Sequence, residues 1–233
     1  MSVIKYADDT VILELCEVKQ QSLLQAEMSN IATWCEKNSL LINASKTKEV
    51  VFCNKRDDPN PSLINMCGAE IQRVDEYKYL GTILNNKLCF KANTSNIVKK
   101  ASQRLHIIKQ LAFLHAKANT IQLCFSTFIE SVLSYHLAII YGHLSQDDKR
   151  QYNQVLKTAN RLSRAKLRKT SIHEIYEPRF KAKCLRLNFC SRDPILEFEL
   201  LPSGRYRTIK GRTNARKNSF RSNCAQLCNK IFK

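Results

Sequence analysis

The sequence predicts an α+β fold, with short strands and one helix in the first part of the chain, then a helical region, then a basic, poorly ordered tail. Short runs rich in β-branched and aromatic residues alternate with turn residues over 1–13 and 70–84, which is typical of hairpins. After residue 93 the apolar residues recur at helical spacing. Residues 201–233 hold nine Lys and Arg and no acid, a composition that disfavours packing. We therefore expect three regions: 1–93, 94–169 and 170–233.

The first region is predicted to begin with a hairpin and to continue with an amphipathic helix. The apolar stretch before Ala7-Asp8-Asp9 and the β-branched run at 10–13 predict two short strands around a pair of carboxylates. From Ser22 the apolar residues fall near i, i+4 and i+8 spacing. The helix is expected to end near Asn38, because Asn favours turns.

Further short strands are predicted in two pairs. The first pair is predicted at 40–43 and 49–53 around a connection at 46–48, and a polar loop follows at 55–61. The second pair is predicted at 70–74 and 77–84, joined at Asp75-Glu76.

Four helices are predicted after residue 93. Thr94 or Ser95 is expected to cap the first, and the second is apolar nearly all round and is expected to be buried. Ser145 and two acids are expected to open the third. The predicted bounds are 94 to about 112, 120–141, 145 to about 169, and 181–189.

The basic charge lies almost entirely in the second half of the chain. Residues 1–100 hold 13 basic and 12 acidic groups, whereas residues 101–233 hold 25 basic and 8 acidic groups, so the latter carry +17 of the net charge of +18. A field of this size attracts polyanions such as nucleic acids, and a solvated basic face is the alternative. Helix-dipole placement explains only part of the basic cluster at the end of the third predicted helix, which consists of Arg161, Arg164, Lys166, Arg168 and Lys169.

Several protein classes are disfavoured. No run of 18 apolar residues occurs, so a membrane span is not expected. Two adjacent acids within the first ten residues disfavour a signal peptide, so we expect a cytoplasmic or nuclear protein that is not secreted. The ten cysteines show no framework spacing and are interpreted as free thiols.

The tetrapeptide Tyr6-Ala7-Asp8-Asp9 is the sharpest local signal. Adjacent carboxylates on a hairpin concentrate the oxygen ligands that Mg²⁺ prefers, and we expect Asp8 to be the first ligand. An ordinary Asp-containing hairpin turn is the alternative.

Four motifs in order resemble the reverse transcriptases of non-LTR, LINE-type retrotransposons. They are YADD at 6–9, the helix end WCEKN at 34–38, the stretch from LIN at 41–43 through Lys46-Thr47 to 50–52, and YKYLG at 77–81. Segments in the tail, 201–206 and 212–220, are similar to the tail of such elements. The resemblance implies the C-terminal palm and thumb part of an RNA-directed DNA polymerase, that is, a partial palm of two β-hairpins plus one helix followed by an α-helical thumb.

The resemblance also implies roles for single residues. Asp8 and Asp9 match the catalytic aspartates that bind Mg²⁺, and Tyr6 lies beside nucleotide and template. Lys46 matches a lysine that assists departure of pyrophosphate, with a solvated loop lysine as the alternative. The primer grip matches Tyr79, Leu80 and Gly81. Gly81 is alternatively a residue that permits close backbone approach in a strand.

Residues 94–169 match the thumb, which holds a primer-template of RNA and DNA through its backbone. The basic groups expected to contact phosphate are Lys99, Lys100, Arg104, Arg161, Arg164 and Lys166. The complete parent would take a dNTP as substrate, and no protein partner follows from the sequence.

The sequence also departs from this pattern. Two-metal nucleotidyl transfer needs ligands for both ions, and the resemblance implies a further aspartate from a strand upstream of YADD, as well as fingers, neither of which is found in this sequence. We therefore expect no polymerase activity from this chain alone. Two other interpretations stay open: a non-catalytic basic nucleic-acid-binding module, and a retroelement relic without function.

Overall fold

The computed structural model describes residues 1–16, 22–53, 62–163, 167–189, 198–208, 210–211 and 213–231. The chain divides into two compact units, Met1–Leu88 and Cys89–Lys233, and each is described by itself. Small sheets and one helix form the first unit and helices form the second, so the predicted α+β class is confirmed.

The first unit contains short strands and one helix, α1, which spans Leu24–Lys37. The strands are β1 Ser2–Tyr6, β2 Asp9–Leu13, β3 Lys48–Glu49, β4 Asn65–Met66, β5 Ala69–Glu70, β6 Gln72–Arg73, β7 Glu76–Tyr79 and β8 Thr82–Asn85. They form three antiparallel pairs, β1–β2, β4–β5 and β7–β8, and one parallel pair, β3–β6.

The first hairpin and the helix after it are confirmed. β1 and β2 pair from Ser2 with Leu13 to Tyr6 with Asp9, so Ala7-Asp8 forms a two-residue turn. Asn38 ends α1 as expected, because its side-chain amide donates to the Trp34 carbonyl at 2.8 Å.

The prediction of a strand pair at 40–43 and 49–53 is wrong. Residues 40–43 form no strand, and only Lys48–Glu49 of the next stretch does, in parallel with Gln72–Arg73. The Asn43 carboxamide oxygen accepts from the Ser45 hydroxyl and the Lys46 amide, which turns the chain before a longer strand can form. Apolar β-branched residues form a strand only where a partner strand is present.

The second predicted strand pair has the wrong partners and the wrong turn. Residues 72–73 pair with β3, and residues 76–79 pair with 82–85 around Leu80-Gly81 rather than around Asp75-Glu76. Leu80 and Gly81 have φ values of 43° and 83°, and a two-residue turn with positive φ at both centres fits the twist of a hairpin. The first unit therefore contains three antiparallel strand pairs, where two hairpins were predicted.

A small apolar core joins α1 to the strands of the first unit. Met28, Ile64, Met66 and Ile71 are buried together, with Ile12 of β2 packed against them. The Gln25 side chain accepts from the Asn65 amide at 2.7 Å and donates to the Asn65 carbonyl at 2.9 Å, which fastens α1 to β4.

The second unit is helical. Its α-helices are α2 Lys91–Phe113, α3 Ala118–Cys124, α4 Ser131–Leu133, α5 Leu137–Ile140, α6 Gln146–Ser163, α7 Ile172–Phe189, α8 Asn214–Lys217 and α9 Phe220–Ile231. A π-helical segment, Phe125–Glu130, joins α3 to α4, and a 3₁₀ turn, Tyr141–His143, follows α5. α2 packs along α6, and their contact buries side chains such as Ala101, Ile108, Leu156 and Ala159 completely.

Three predicted helix details are wrong. Thr94 is not a cap, because α2 begins at Lys91 and Thr94 is buried inside it. The predicted helix at 120–141 is interrupted at His136, whose φ of 53° is left-handed. The third helix begins as predicted, with Ser145 and Asp148 bonded reciprocally as a capping box, but among the described residues it spans Gln146–Ser163, and residues 167–169 are not helical.

The prediction of a poorly ordered tail is wrong where α9 forms, whereas the helix predicted at 181–189 lies within α7. α7 begins before Pro178 and contains it, and α9 follows in the region expected to be extended. Within α9 Cys224 and Cys228 lie one turn apart and pack with Phe180 and Cys184 in a buried cluster. Free Cys packs as a small apolar residue, so this stretch has a core-facing side despite its basic composition.

Two sequence-wide expectations concern cysteines and membrane spans. The nine cysteines that the structure describes are free thiols, and Cys190 lies outside the described residues. In the described part of the chain no single helix is long and apolar enough to cross a membrane. One pair of segments, Ala118–Leu133 and Leu137–His143, meets those criteria together but is bent by 47° between them.

Candidate active-site hairpin and basic helices

The β1–β2 hairpin presents both predicted catalytic carboxylates to solvent. Asp8 lies in the two-residue turn and Asp9 is the first residue of β2, and both side chains are exposed. Tyr6 pairs with Asp9 across the hairpin, and 64% of its surface is exposed. Tyr6, Asp8 and Asp9 are thus brought together at one end of a two-stranded sheet.

The turn that carries Asp8 is strained. Ala7 has a φ of 50°, a left-handed conformation that costs a residue with a Cβ about 1 kcal/mol or more. A Gly would adopt this conformation without that cost. Ala7 is the first residue of a two-residue hairpin turn, where positive φ fits the twist of the strands, as it does at Leu80 in the β7–β8 turn.

The two carboxylates have the right chemistry for Mg²⁺, which prefers oxygen ligands. They stand without a third ligand, however, because no group of three His, Cys, Asp or Glu side chains suited to a metal ion occurs among the described residues. A two-metal site needs groups that bind both ions, so the donors described here do not amount to a complete site.

Lys46 lies on a separate loop of the same unit. Its amide is held by the Asn43 side chain at 3.1 Å, and its own side chain is exposed. Over residues 1–16 and 22–53 no ion pair joins Lys46 to either aspartate. The structure therefore places Lys46 as an exposed loop lysine in this unit.

The predicted primer-grip residues form the turn of the β7–β8 hairpin. Tyr79 pairs with Thr82, and Leu80-Gly81 turns the chain between them. Gly81 has a φ of 83°, a conformation that glycine adopts without steric cost in a two-residue hairpin turn.

The predicted phosphate-binding residues of the second unit differ in their surroundings. Lys99 and Lys100 are exposed on α2, and Arg161 is exposed in the last turn of α6. Arg104 donates to the Phe128 carbonyl at 2.8 Å, so part of its guanidinium holds α2 to the π-helical segment. Arg164 and Lys166 lie outside the described residues.

One cation of the predicted basic cluster has a structural partner. Glu130 ends the π-helical segment and is 4% exposed, and its carboxylate accepts from Lys169 at 2.5 Å and from Arg179 at 2.9 Å. This network is not predictable from the sequence, because Glu130 is distant in the chain from Lys169 and Arg179. An acid within an apolar stretch, where burial demands a partner, was the only local signal.

About half of the chain is similar to curated polymerases of mobile elements. The polymerase from mobile element jockey of Drosophila funebris, an RNA-directed DNA polymerase, is 33% identical over 115 residues, which is 48% of this chain and 12% of that protein. The jockey polymerase of Drosophila melanogaster is 30% identical over 132 residues, 55% of this chain and 14% of that protein. A probable RNA-directed DNA polymerase from transposon BS of Drosophila melanogaster is 28% identical over 120 residues, 51% of this chain and 13% of that protein.

The matched segments thus span about one eighth of the length of these curated relatives. No protein-family profile matches the chain, and no solved structure matches it. The resemblance predicted from the four motifs is nevertheless confirmed, since over about half its length the chain is similar to RNA-directed DNA polymerases of non-LTR mobile elements.

Proposed function

We propose that this chain supplies the C-terminal palm and thumb part of an RNA-directed DNA polymerase of a non-LTR retrotransposon. The observation that carries the proposal is the β1–β2 hairpin, which presents the adjacent residues Asp8 and Asp9 to solvent at its turn. The similarity to polymerases of mobile elements supports it independently.

In this proposal Asp8 and Asp9 are oxygen donors for Mg²⁺. The bound ions would activate the attacking hydroxyl and neutralise charge on the phosphates. Because these two carboxylates do not form a complete site in the described residues, they act only together with at least one further acidic group. The chain alone is therefore expected to show no templated primer extension with Mg²⁺ and dNTP.

The second unit is proposed to hold the primer-template. Lys99, Lys100 and Arg161 are exposed on two helices that pack along each other, so their charges can contact phosphates without reading sequence. The concentration of positive charge after residue 100 favours the same partner. Lys46 and the Leu80-Gly81 turn are proposed to serve nucleotide and primer in the complete enzyme.

A chimeric polymerase tests the catalytic part of the proposal. The whole of this chain, with Asp8 and Asp9 included, replaces the corresponding region of the Drosophila funebris polymerase, and primer extension on an RNA template is measured. We expect extension that falls by roughly a thousandfold in Asp8→Asn and in Asp9→Asn, since metal ions supply several kcal/mol of transition-state stabilisation.

Glu36→Gln is the matched control, because it removes an exposed acid from α1 of the same unit. Extension in this variant should equal that of the parent chimera. A chimera without extension, or one whose extension survives Asp8→Asn, would contradict the proposal.

A non-catalytic nucleic-acid-binding module is the second candidate function. The exposed lysines of α2 and the charge of the second unit favour it without any role for the hairpin. It predicts that the chimera tolerates Asp8→Asn, whereas nucleic-acid binding by the chain still depends on Lys99 and Lys100.

A further inference from the structure

An open cleft of about 440 Å³ lies entirely within the second unit. Its walls come from the 3₁₀ turn after α5, from the first turn of α6, from α7, and from the segment 218–230 that contains α9. The volume is that of a site for a small organic group, and the open mouth would let a chain enter and leave.

A stack of aromatic rings forms one wall of the cleft. The Tyr141 and Tyr176 rings are stacked with centroids 3.9 Å apart and planes 12° apart, and Phe180 continues the stack beyond Tyr176 at 5.1 Å. Tyr176 is therefore covered on both faces. Tyr141 ends the stack: among the described residues one of its faces is taken by the Tyr176 ring, and the His173 ring meets Tyr141 edge-on with centroids 6.1 Å apart.

The second face of Tyr141 is covered by a lysine. The Lys149 ammonium lies 4.5 Å from the centroid of the Tyr141 ring, and it must lie on the face opposite to Tyr176 because that ring occupies the other side. A lysine side chain is flexible and strongly hydrated, so it can move aside at small cost. An aromatic base could then stack on the face that it leaves.

The rest of the lining is basic and amide-rich. Lys181 and Lys230 join Lys149 as cations, against a single acid, Glu177. Asn218, Asn223 and Gln226 add donors and acceptors of the kind that contact base edges and phosphates.

The position of Tyr141 is fixed by a close backbone approach beside it. A Cβ on Gly142 would lie 1.9 Å from the Asn218 carbonyl oxygen, so only Gly permits this contact. The Asn223 carboxamide donates to the same carbonyl at 3.1 Å. The ring that ends the stack is thus held against the wall that carries the amides.

We propose that this cleft binds one unpaired nucleotide of a single-stranded nucleic acid, with its base stacked on the Tyr141 face now covered by Lys149 and its phosphate held by the cleft lysines. The choice of nucleic acid as the ligand rests on the proposed function. The stack, the cations and the amides are what single-strand sites combine, namely an aromatic platform along a positive groove.

The test measures binding of the whole chain to fluorescein-labelled single-stranded oligonucleotides, RNA and DNA, by fluorescence anisotropy. We expect Tyr141→Leu to weaken binding by roughly tenfold, since one base–aromatic stack is worth about 1–3 kcal/mol. Tyr141→Phe keeps the ring and should bind as the parent does. Lys149→Gln should weaken binding and make the slope of log affinity against log salt shallower by about 0.7, the value of one phosphate contact on a single strand.

Two matched controls lie outside the cleft. Phe113→Leu removes an aromatic ring that is 72% exposed at the end of α2, and Arg150→Gln removes the exposed charge next to Lys149. Phe113→Leu should leave single-strand affinity unchanged, and Arg150→Gln should change it less than Lys149→Gln does.

An oligonucleotide with abasic positions separates stacking from phosphate contact. The parent chain should bind it more weakly by the same factor that Tyr141→Leu loses, and Tyr141→Leu should bind both oligonucleotides equally. Equal binding of the two oligonucleotides by the parent chain would overturn the proposal and leave a phosphate site only. This arm needs no variant, so misfolding of Tyr141→Leu would not hide the result.

Failure of this inference is distinguishable from failure of the proposed function. If Tyr141→Leu retains single-strand binding while Lys99→Gln/Lys100→Gln loses duplex binding, only the cleft is refuted. If the parent chain binds neither single strands nor duplexes, both are refuted.

Discussion

The buried Glu130 network supplies the most demanding prediction for the stability of the second unit. The Glu130 carboxylate is almost fully buried, whereas the side chains of its partners Lys169 and Arg179 are 28% and 37% exposed. The two cations lie on different segments, the connection after α6 and α7 itself, so the acid ties both to the end of the π-helical segment.

Replacing one cation by Met leaves the other bonded to the carboxylate. A hydrogen bond to a charged group contributes about 1.5–3 kcal/mol, and partial exposure reduces that for both cations. We therefore expect Lys169→Met and Arg179→Met each to lower the free energy of unfolding by about 1–2 kcal/mol. The double variant leaves the buried Glu130 carboxylate without either cation. Its free energy of unfolding should therefore fall by roughly 5 kcal/mol, which is more than the two single losses together.

Urea unfolding followed by circular dichroism at 222 nm measures these losses, because helices dominate that signal and most of them lie in the second unit. Adding Glu130→Gln to the double variant should recover much of the loss, since it removes the stranded charge. Additive single losses, or no recovery with Glu130→Gln, would refute the reasoning.

Three further predictions concern single positions. Gly142→Ala should lower the stability of the second unit by about 1–3 kcal/mol, because the Cβ of the new alanine would overlap the Asn218 carbonyl and overpack the contact. Thermal unfolding measures this loss. Ala7→Gly should stabilise the hairpin unit, because glycine relieves the left-handed strain. The rate of hydrogen exchange of the β1–β2 amides should therefore fall in the variant. A higher exchange rate would contradict this. Glu14 accepts from the Ser22 hydroxyl at 2.6 Å, which lowers the pKa of this carboxyl. Its contribution to stability is therefore present above the unfolded pKa of about 4.3 and is lost as pH falls through the lower folded pKa. The stability difference between the parent chain and Glu14→Gln should vanish in that acid range, and a difference that persists at pH 2 would contradict this.

Local signals predicted the first hairpin and those helices whose first or last residues are typical capping or turn residues. The β1–β2 hairpin and α1 follow from short-range pattern, with carboxylates at the turn and Asn38 at the helix end. The Ser145–Asp148 capping box likewise opens α6 where the sequence indicates. In each case the residues that decide the structure lie within four positions of one another.

Features that depend on distant partners were not predictable. The parallel pairing of Lys48–Glu49 with Gln72–Arg73 needs two segments that are far apart in the chain, and it is held by the Arg73–Glu49 ion pair at 2.8 Å. α9 was not predicted because its buried side consists of small residues, Ser222, Cys224, Ala225 and Cys228, in a basic stretch, and contact with α7 shows the cysteines to be core residues.

The site shows the same division. The proximity of Asp8 and Asp9 is a local property of YADD, and the sequence predicted it. The engagement of Arg104 with Phe128 and the stack of Tyr141 on Tyr176 arise from packing between helices, so charge counting could not separate cations used within the fold from those open to a ligand.

The most direct test of the account is the salt dependence of the chain's affinity for an RNA–DNA primer-template duplex. The account predicts a linear fall of log affinity with log salt. In a variant that combines Lys99→Gln, Lys100→Gln and Arg161→Gln, the slope should become shallower by about 0.9 for each phosphate contact removed. Asp8→Asn and a control pair on the first unit, Lys5→Gln with Lys37→Gln, should leave the slope unchanged. A slope that is equal in the parent and the triple variant would contradict the claim that the second unit holds nucleic acid through these residues.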